Sequence, residues 1–266
     1  MSIAQRVGRT FGRFRRNRSE PGGSMTLMEH LGELRTRVIV AVCAIAVGAV
    51  LGWFLYPPVF SYLQKPYCTI ITQNPELALK PGSCQLIFTS AIQPFFIKLK
   101  VVTFIGLGLA LPVVLWELWR FVTPGLQGKE RRYAVPFVFA SILLFALGAW
   151  FGLFALPKAL NFLLGFAGTG LVGALDVTKY FTFVFFMVAA FGLSFELPVV
   201  LIAFVMIGIL DSRKLRRSRR GAWVGIAVFA ALITPTQDWF TMTAMMVPLL
   251  IFYELSILIA RFVLKK

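Results

Sequence analysis

Histidine occurs once in the 266 residues, at His30, and acidic side chains number only 11. That scarcity excludes a histidine-based hydrolase and a multi-histidine metal centre, so neither a metal nor a cofactor is expected. There is no Gly-x-Ser-x-Gly elbow, Walker loop or Cys-x-x-Cys pair either, which argues against an enzyme and against a self-contained ATP-driven pump. Charged residues make up 14% of the chain and apolar ones 58%, where a soluble domain averages roughly 25% and 45–50%. Polar surface is too scarce to wrap one soluble core, and the same composition excludes intrinsic disorder.

What the chain has in quantity is apolar sequence, with a mean hydropathy of +0.80. Runs at 38–56, 99–118, 134–156 and 180–210 approach or exceed the ~20 residues that cross a hydrocarbon layer. Two shorter runs follow, at 222–233 and 242–260. They are continuous rather than alternating, which indicates helices and not a β-barrel. The expected fold is an all-α polytopic membrane protein with six transmembrane helices, the fifth and sixth short, and both termini on one side. No removable signal sequence is expected before the first span, because no short apolar core with a cleavage site follows the basic N-terminus.

The charge excess, 27 Lys and Arg against 11 acids for a net +16, would alone suit a nucleic-acid binder. Its placement says otherwise. Arg6, Arg9, Arg13, Arg15, Arg16, Arg18, Arg35 and Arg37 precede the first span. Arg120, Lys129, Arg131 and Arg132 lie between the second and third, and Arg213, Lys214, Arg216, Arg217, Arg219 and Arg220 between the fourth and fifth. Arg261, Lys265 and Lys266 close the chain. The other side carries Lys65, Lys80, Lys98, Lys100, Lys158 and Lys179. This asymmetry places both termini in the cytoplasm, and the charge reports topology rather than nucleic acid.

Residues 1–24 read as a basic cytoplasmic tail ending in Pro21-Gly22-Gly23-Ser24, with the membrane domain spanning 25–266. Val7, Phe11 and Phe14 at helical spacing among arginines suit a helix on anionic lipid headgroups; a disordered basic arm is the other reading. Cys43 lies in the first span, and Cys68 and Cys84 fall in the first extracytoplasmic loop. That compartment is usually oxidising, so a Cys68–Cys84 disulfide and two free thiols both stay open.

Glu196 sits near the middle of the fourth span, where an ionised side chain is costly and by default functional. Pro198 withholds a hydrogen bond from the Ser194 carbonyl, so a kink beside this carboxyl group is expected. Burial against a neighbouring helix for packing alone is the plainer alternative. Glu254, in the sixth span, has Tyr253 and Arg261 nearby as structural partners. Gly48-x-x-x-Gly52 and Gly148-x-x-x-Gly152 permit close helix contact, a weak signal since such spacing is common in membrane helices. The 222–233 run gives only about 18 Å of helix, which should thin the bilayer locally or recruit partners. The following turn then sits shallow, with Gln237 and Asp238 as polar groups.

Taken in order, several segments become specific. The entry to the first span reads Met28-Glu29-His30-Leu31-Gly32-Glu33-Leu34-Arg35, and the second span ends Leu115-Trp116-Glu117-Leu118-Trp119-Arg120-Phe121-Val122-Thr123-Pro124, followed by Glu130-Arg131-Arg132. The fourth holds Phe195-Glu196-Leu197-Pro198, and the fifth turns at Thr234-Pro235. With six spans, the chain from about residue 26 onward resembles TatC, the receptor subunit of the twin-arginine protein translocase. The resemblance implies a glove-shaped helical scaffold in a bacterial-type cytoplasmic membrane. It also implies a non-enzymatic receptor for folded proteins whose signal peptides carry paired arginines, assembled with TatA- and TatB-like single-span partners in a multimeric complex and driven by the proton gradient.

The family's two recognition acids match Glu33 and Glu130, and guanidinium forks pair bidentately with carboxylates as lysine cannot. Arg35, Arg131 and His30 belong to the same motifs. On spacing alone, Glu33 is equally a helix-surface partner of Arg37 at i,i+4. The intramembrane acid matches Glu196, on the concave face, and the partner-docking cluster at the outer ends of the last two spans matches Thr234 with Asp238. Phe95 matches the family's Pro-Phe step, preceded here by Gln93 where relatives often carry an acid. The competing class is a proton- or ion-coupled secondary transporter using Glu196 and Glu254, with no internal repeat in its favour.

Overall fold

The computed structural model describes residues 27–73, 84–122, 134–165, 175–234, 238–262 and 264. The expected tail at 1–24 lies outside them. The described residues are helical almost throughout: α1 (Leu27–Gln73), α2 (Gln93–Val122), α3 (Ala134–Gly165), α4 (Val177–Ser194), α5 (Leu197–Ile207), α6 (Ser212–Arg217), α7 (Arg219–Ile233) and α8 (Trp239–Phe262). This is a multi-pass membrane protein. Large apolar side chains such as Val50, Phe54, Leu193 and Leu232 stand exposed on the helices, a surface that water would not tolerate and lipid solvates. Among the described residues, five spans are long and apolar enough to cross: 31–73, 93–121, 135–165, 177–207 and 239–262.

Five of the six expected runs fall within these helices, which extend past them; the run 180–210 instead spans two helices and overshoots the second, which ends at Ile207 with Gly208 as its C-cap. The first continues through Pro57, Pro58 and Pro66 to Gln73, 47 residues in all. Prolines forfeit ladder hydrogen bonds, and here packing offsets the loss. Phe60 stacks on Phe181 with ring centroids 4.7 Å apart, and the Tyr180 hydroxyl donates to the Leu63 carbonyl at 2.6 Å. The main core gathers around this point, with Leu63, Tyr67, Ile70, Val101, Leu156, Phe181 and Phe191 all buried.

The fourth span is two helices. Phe195 ends α4, Glu196 opens α5 and Pro198 sits in the first turn of α5, so the break lies at the expected carboxyl group. The fifth span is α7, whose 15 residues give about 22 Å of helix, still short of the ~30 Å core. The sixth is not short. Helix α8 has 24 residues, because Asp238 caps its start: the carboxylate accepts from the Thr241 amide at 2.8 Å and from the Thr241 hydroxyl. That cap adds a turn ahead of the apolar run.

Helices α1 and α2 run antiparallel at backbone contact. A Cβ on Gly48 would meet the Gly106 carbonyl oxygen at 2.5 Å, one on Gly52 the Val102 oxygen at 2.9 Å, and one on Gly106 the Ala49 nitrogen at 2.5 Å. Helices α3 and α4 repeat the device, with Gly148 against the Phe191 oxygen at 2.5 Å.

The loop ends of α1, α2 and α4 are tied together. Cys68 and Cys84 are joined, with Cα atoms 5.1 Å apart, and Gln64 donates to the Cys84 carbonyl at 2.9 Å. Ile87 pairs with the backbone on either side of Asp176, its N–H donating to Leu175 O at 3.1 Å and its carbonyl accepting from Val177 N–H at 2.9 Å. Asp176 caps α4 by accepting from the Thr178 and Lys179 amides, and also from Gln93 Nε2 at 2.8 Å. Desolvation pushes its carboxyl group up, but these donors together outweigh it and hold the group below the usual carboxylate range. Gln93 meanwhile accepts from the Thr89 amide at 2.6 Å. An acid at 93 would set two carboxylates against each other, which accounts for glutamine at that position. Removing the bridge with Cys68→Ser plus Cys84→Ser is expected to cost roughly 3 kcal/mol on the chain-entropy model for a loop of this length. Thermal melting of the double variant tests this, and mass spectrometry of the unreduced native chain should show the pair two hydrogen atoms lighter than free thiols.

Candidate functional site

Polar side chains converge at two places. The first is the N-terminal end of α1, where it runs beside the C-terminal end of α2. Carrying the Gly48–Gly106 register along both helices brings residue 37 level with residue 117, and an ion pair forms there. Arg37 Nη1 donates to Glu117 Oε2 at 2.8 Å, while Nε and Nη2 both donate to Glu33 Oε1, Nε at 3.2 Å. One guanidinium thus joins two carboxylates. The Arg37 and Glu117 side chains are 14% exposed and that of Glu33 23%, so the cluster is sheltered but open to an approaching ligand. Arg35, two residues before Arg37, is exposed and makes no ion pair among the described residues. Glu130 and Arg131, and the His30 side chain, lie outside the described residues.

The second place is the α4–α5 break. The Glu196 carboxyl group has one buried oxygen, Oε1, with no hydrogen-bond partner, and the Ser141 hydroxyl of α3 lies beside the carboxyl group. Ser141, fully buried, accepts from the Trp119 indole at 3.0 Å. Trp119, Val138, Val199 and Ala203 form a small apolar cluster here, so a polar chain Trp119–Ser141–Glu196 threads apolar surroundings. Pro198 is buried and has no N–H to donate, while the Glu196 N–H still bonds the Leu193 carbonyl at 3.1 Å and the Val200 N–H the Glu196 carbonyl at 3.0 Å.

The remaining candidates have partners of their own. Glu254 pairs with Arg219 of α7 at 2.5 Å, not with Tyr253 or Arg261 as spacing suggested. Tyr253 instead donates to the Leu215 carbonyl at 2.7 Å, and Arg261 lies over the Phe262 ring. Helices α7 and α6 supply the bonded partners, Arg219 for Glu254 and the Leu215 carbonyl for Tyr253. Thr234 is buried and donates to the Ala230 carbonyl at 2.8 Å, and Asp238 is engaged in capping α8. Both are buried and held within the chain, as buried polar groups must find partners.

The model of the family described as "Sec-independent protein translocase protein (TatC)" matches residues 29–248. The chain belongs to the TatC family. Among TatC relatives, the protein from Frankia casuarinae is 40% identical over 92% of this chain and 68% of its own length. That from Aquifex aeolicus is 38% identical over 91% and 97%. The crystal structure described as twin-arginine translocase receptor TatC superposes with a TM-score of 0.67 at 37% identity, covering 87% of this chain and 98% of its own. A second, in the detergent DDM, gives 0.69 at 36% identity. TatC membership supports the translocase reading and not the transporter, which also loses Glu254 to its ion pair.

Sequence reasoning singled out Glu33 but not the carboxylate facing it. Glu117 lies within a quoted motif, yet only the α1–α2 register shows that it shares Arg37 with Glu33. Ser141 and Trp119 were likewise overlooked; a serine in a membrane span and an indole needing an acceptor were the available signals.

Proposed function

We propose that this chain is the signal-peptide receptor of a twin-arginine translocase, a non-enzymatic membrane subunit that binds paired arginines on folded passengers. The observation that carries this is a sheltered carboxylate, Glu33, already paired with a guanidinium at the end of α1, in a chain of the TatC family. Glu33 and Glu130 hold the ligand's arginines, with Arg35, Arg131 and His30 around them, and the apolar part of the peptide lies along the helices toward Glu196. There it meets the single helix of a TatA- or TatB-like subunit, in a complex of several chains. Thr234, Asp238 and Pro198 shape the backbone at the two docking regions rather than contributing free polar groups.

The basic loops set both termini in the cytoplasm of a bacterial-type inner membrane, and the tail at 1–24 adds contacts to anionic lipid. Binding of an Arg-Arg signal peptide to the purified protein tests the reading. Glu33→Ala or Glu130→Ala should weaken it by about tenfold or more, the worth of a charge-assisted hydrogen bond, and should weaken a Lys-Lys variant less. Equal losses for both peptides reject the recognition role.

A further inference from the structure

The recognition acid is not idle in this structure. Glu33 Oε1 receives two N–H groups from Arg37, and the third contact of that guanidinium goes to Glu117. Among the described residues, Glu33 Oε2 and Glu117 Oε1 accept nothing. An incoming arginine can form a two-pronged pair with Glu33 only if both of its oxygens are free, so Arg37 must first release Oε1. Were Arg37 to leave with no other partner, a guanidinium only 14% exposed would lose its main counter-charge, and partial burial makes that costly. Glu117 removes the difficulty. It holds one end of the guanidinium at 2.8 Å and has an unused oxygen to receive the other.

We infer that Glu117 is a positioning residue for signal-peptide binding: Arg37 occupies Glu33 at rest, as an internal stand-in for the ligand, and transfers onto Glu117 when the peptide's arginine takes its place. This rests on the receptor reading above and adds an exchange step to it. Two carboxylates around one cation also leave the cluster a net negative charge, which a structural ion pair has no use for and an arginine-binding site does. The exchange favours arginine over lysine in the ligand, because only a fork matching that of Arg37 recovers both bonds on Glu33.

The test is equilibrium binding of Arg-Arg and Lys-Lys signal peptides to the full chain in detergent, with the melting temperature of each variant recorded. Arg37→Lys keeps the charge but removes the fork. It should tighten Arg-Arg binding by about fivefold, the upper worth of a partly exposed pair, and leave Lys-Lys binding nearly unchanged. Glu117→Gln should weaken Arg-Arg binding by a similar factor, since Arg37 then falls back wholly on Glu33. In an Arg37→Gln background, Glu117→Gln should have no further effect. Weaker Arg-Arg binding in Arg37→Lys, or a Glu117→Gln loss that persists without Arg37, overturns the exchange while leaving the receptor intact. Failure of the unmodified chain to prefer Arg-Arg over Lys-Lys removes the receptor reading itself.

Discussion

Gly106→Val should prevent the chain from accumulating as a folded membrane protein, whereas Gly108→Val, two residues along the same helix, should be tolerated. A Cβ at 106 would lie 2.5 Å from the Ala49 nitrogen, 2.8 Å from its Cα and 2.9 Å from the Ile45 oxygen. These are backbone atoms of α1 and cannot rotate aside, so the helices must separate. A Cβ at 108 meets nothing within 4 Å. Overpacking in a tight core costs typically 1–3 kcal/mol and occasionally more. The larger figure fits here, since separating α1 from α2 loosens the contact along its whole length, in a setting where close packing is a principal force between helices. Separation also pulls Arg37 away from Glu117. The comparison needs only expression level and melting temperature for the two variants, and similar values for both would remove the argument that this contact sets the fold.

The second large effect runs the opposite way for stability and function. Glu196→Leu is expected to leave the isolated chain as stable as before, or more so, while cutting export of a twin-arginine passenger in cells by more than tenfold. The carboxyl group has an oxygen buried without a partner, and an unsatisfied buried polar atom costs about 1–3 kcal/mol. Leucine removes that cost and joins the apolar cluster of Val138, Val199 and Ala203, and Ser141 keeps its bond from Trp119. A residue kept despite such a local cost is best explained by a partner that satisfies it in the assembled state. Glu196→Gln separates hydrogen bonding from charge: restored export would assign the role to the former. A drop in melting temperature for the leucine variant would make the carboxyl group structural, and undiminished export would dismiss it as a docking group.

Much of the architecture was legible because a bilayer demands long uninterrupted apolar runs. The break of the fourth span was legible too, since Pro198 removes a donor at a fixed distance from Ser194. The extent of α1 was not. Pro57-Pro58 reads locally as a stop, and only contacts from Phe181 and Tyr180, far along the chain, carry the helix past it. The two glycine pairs were noticed as a weak pattern, but their true partners, Gly106 and the Phe191 backbone, follow no spacing rule. Glu33 offered two readings, ligand carboxylate or partner of Arg37, and the structure realises the second in a way that leaves the first open. Glu117, which holds the other side of Arg37, becomes a neighbour only once the α1–α2 register is fixed.

At 47 residues, α1 is about 70 Å long, more than twice the thickness of a hydrocarbon core. Its Cys68 end therefore stands clear of the bilayer as a stiff mast, stayed at two heights by Tyr180 and by the sulfur link to Cys84. Tyr180 belongs to the same rod that ends at the Glu196 joint. One helix, α4, thus links the outer end of α1, held at Leu63, to the break at Glu196.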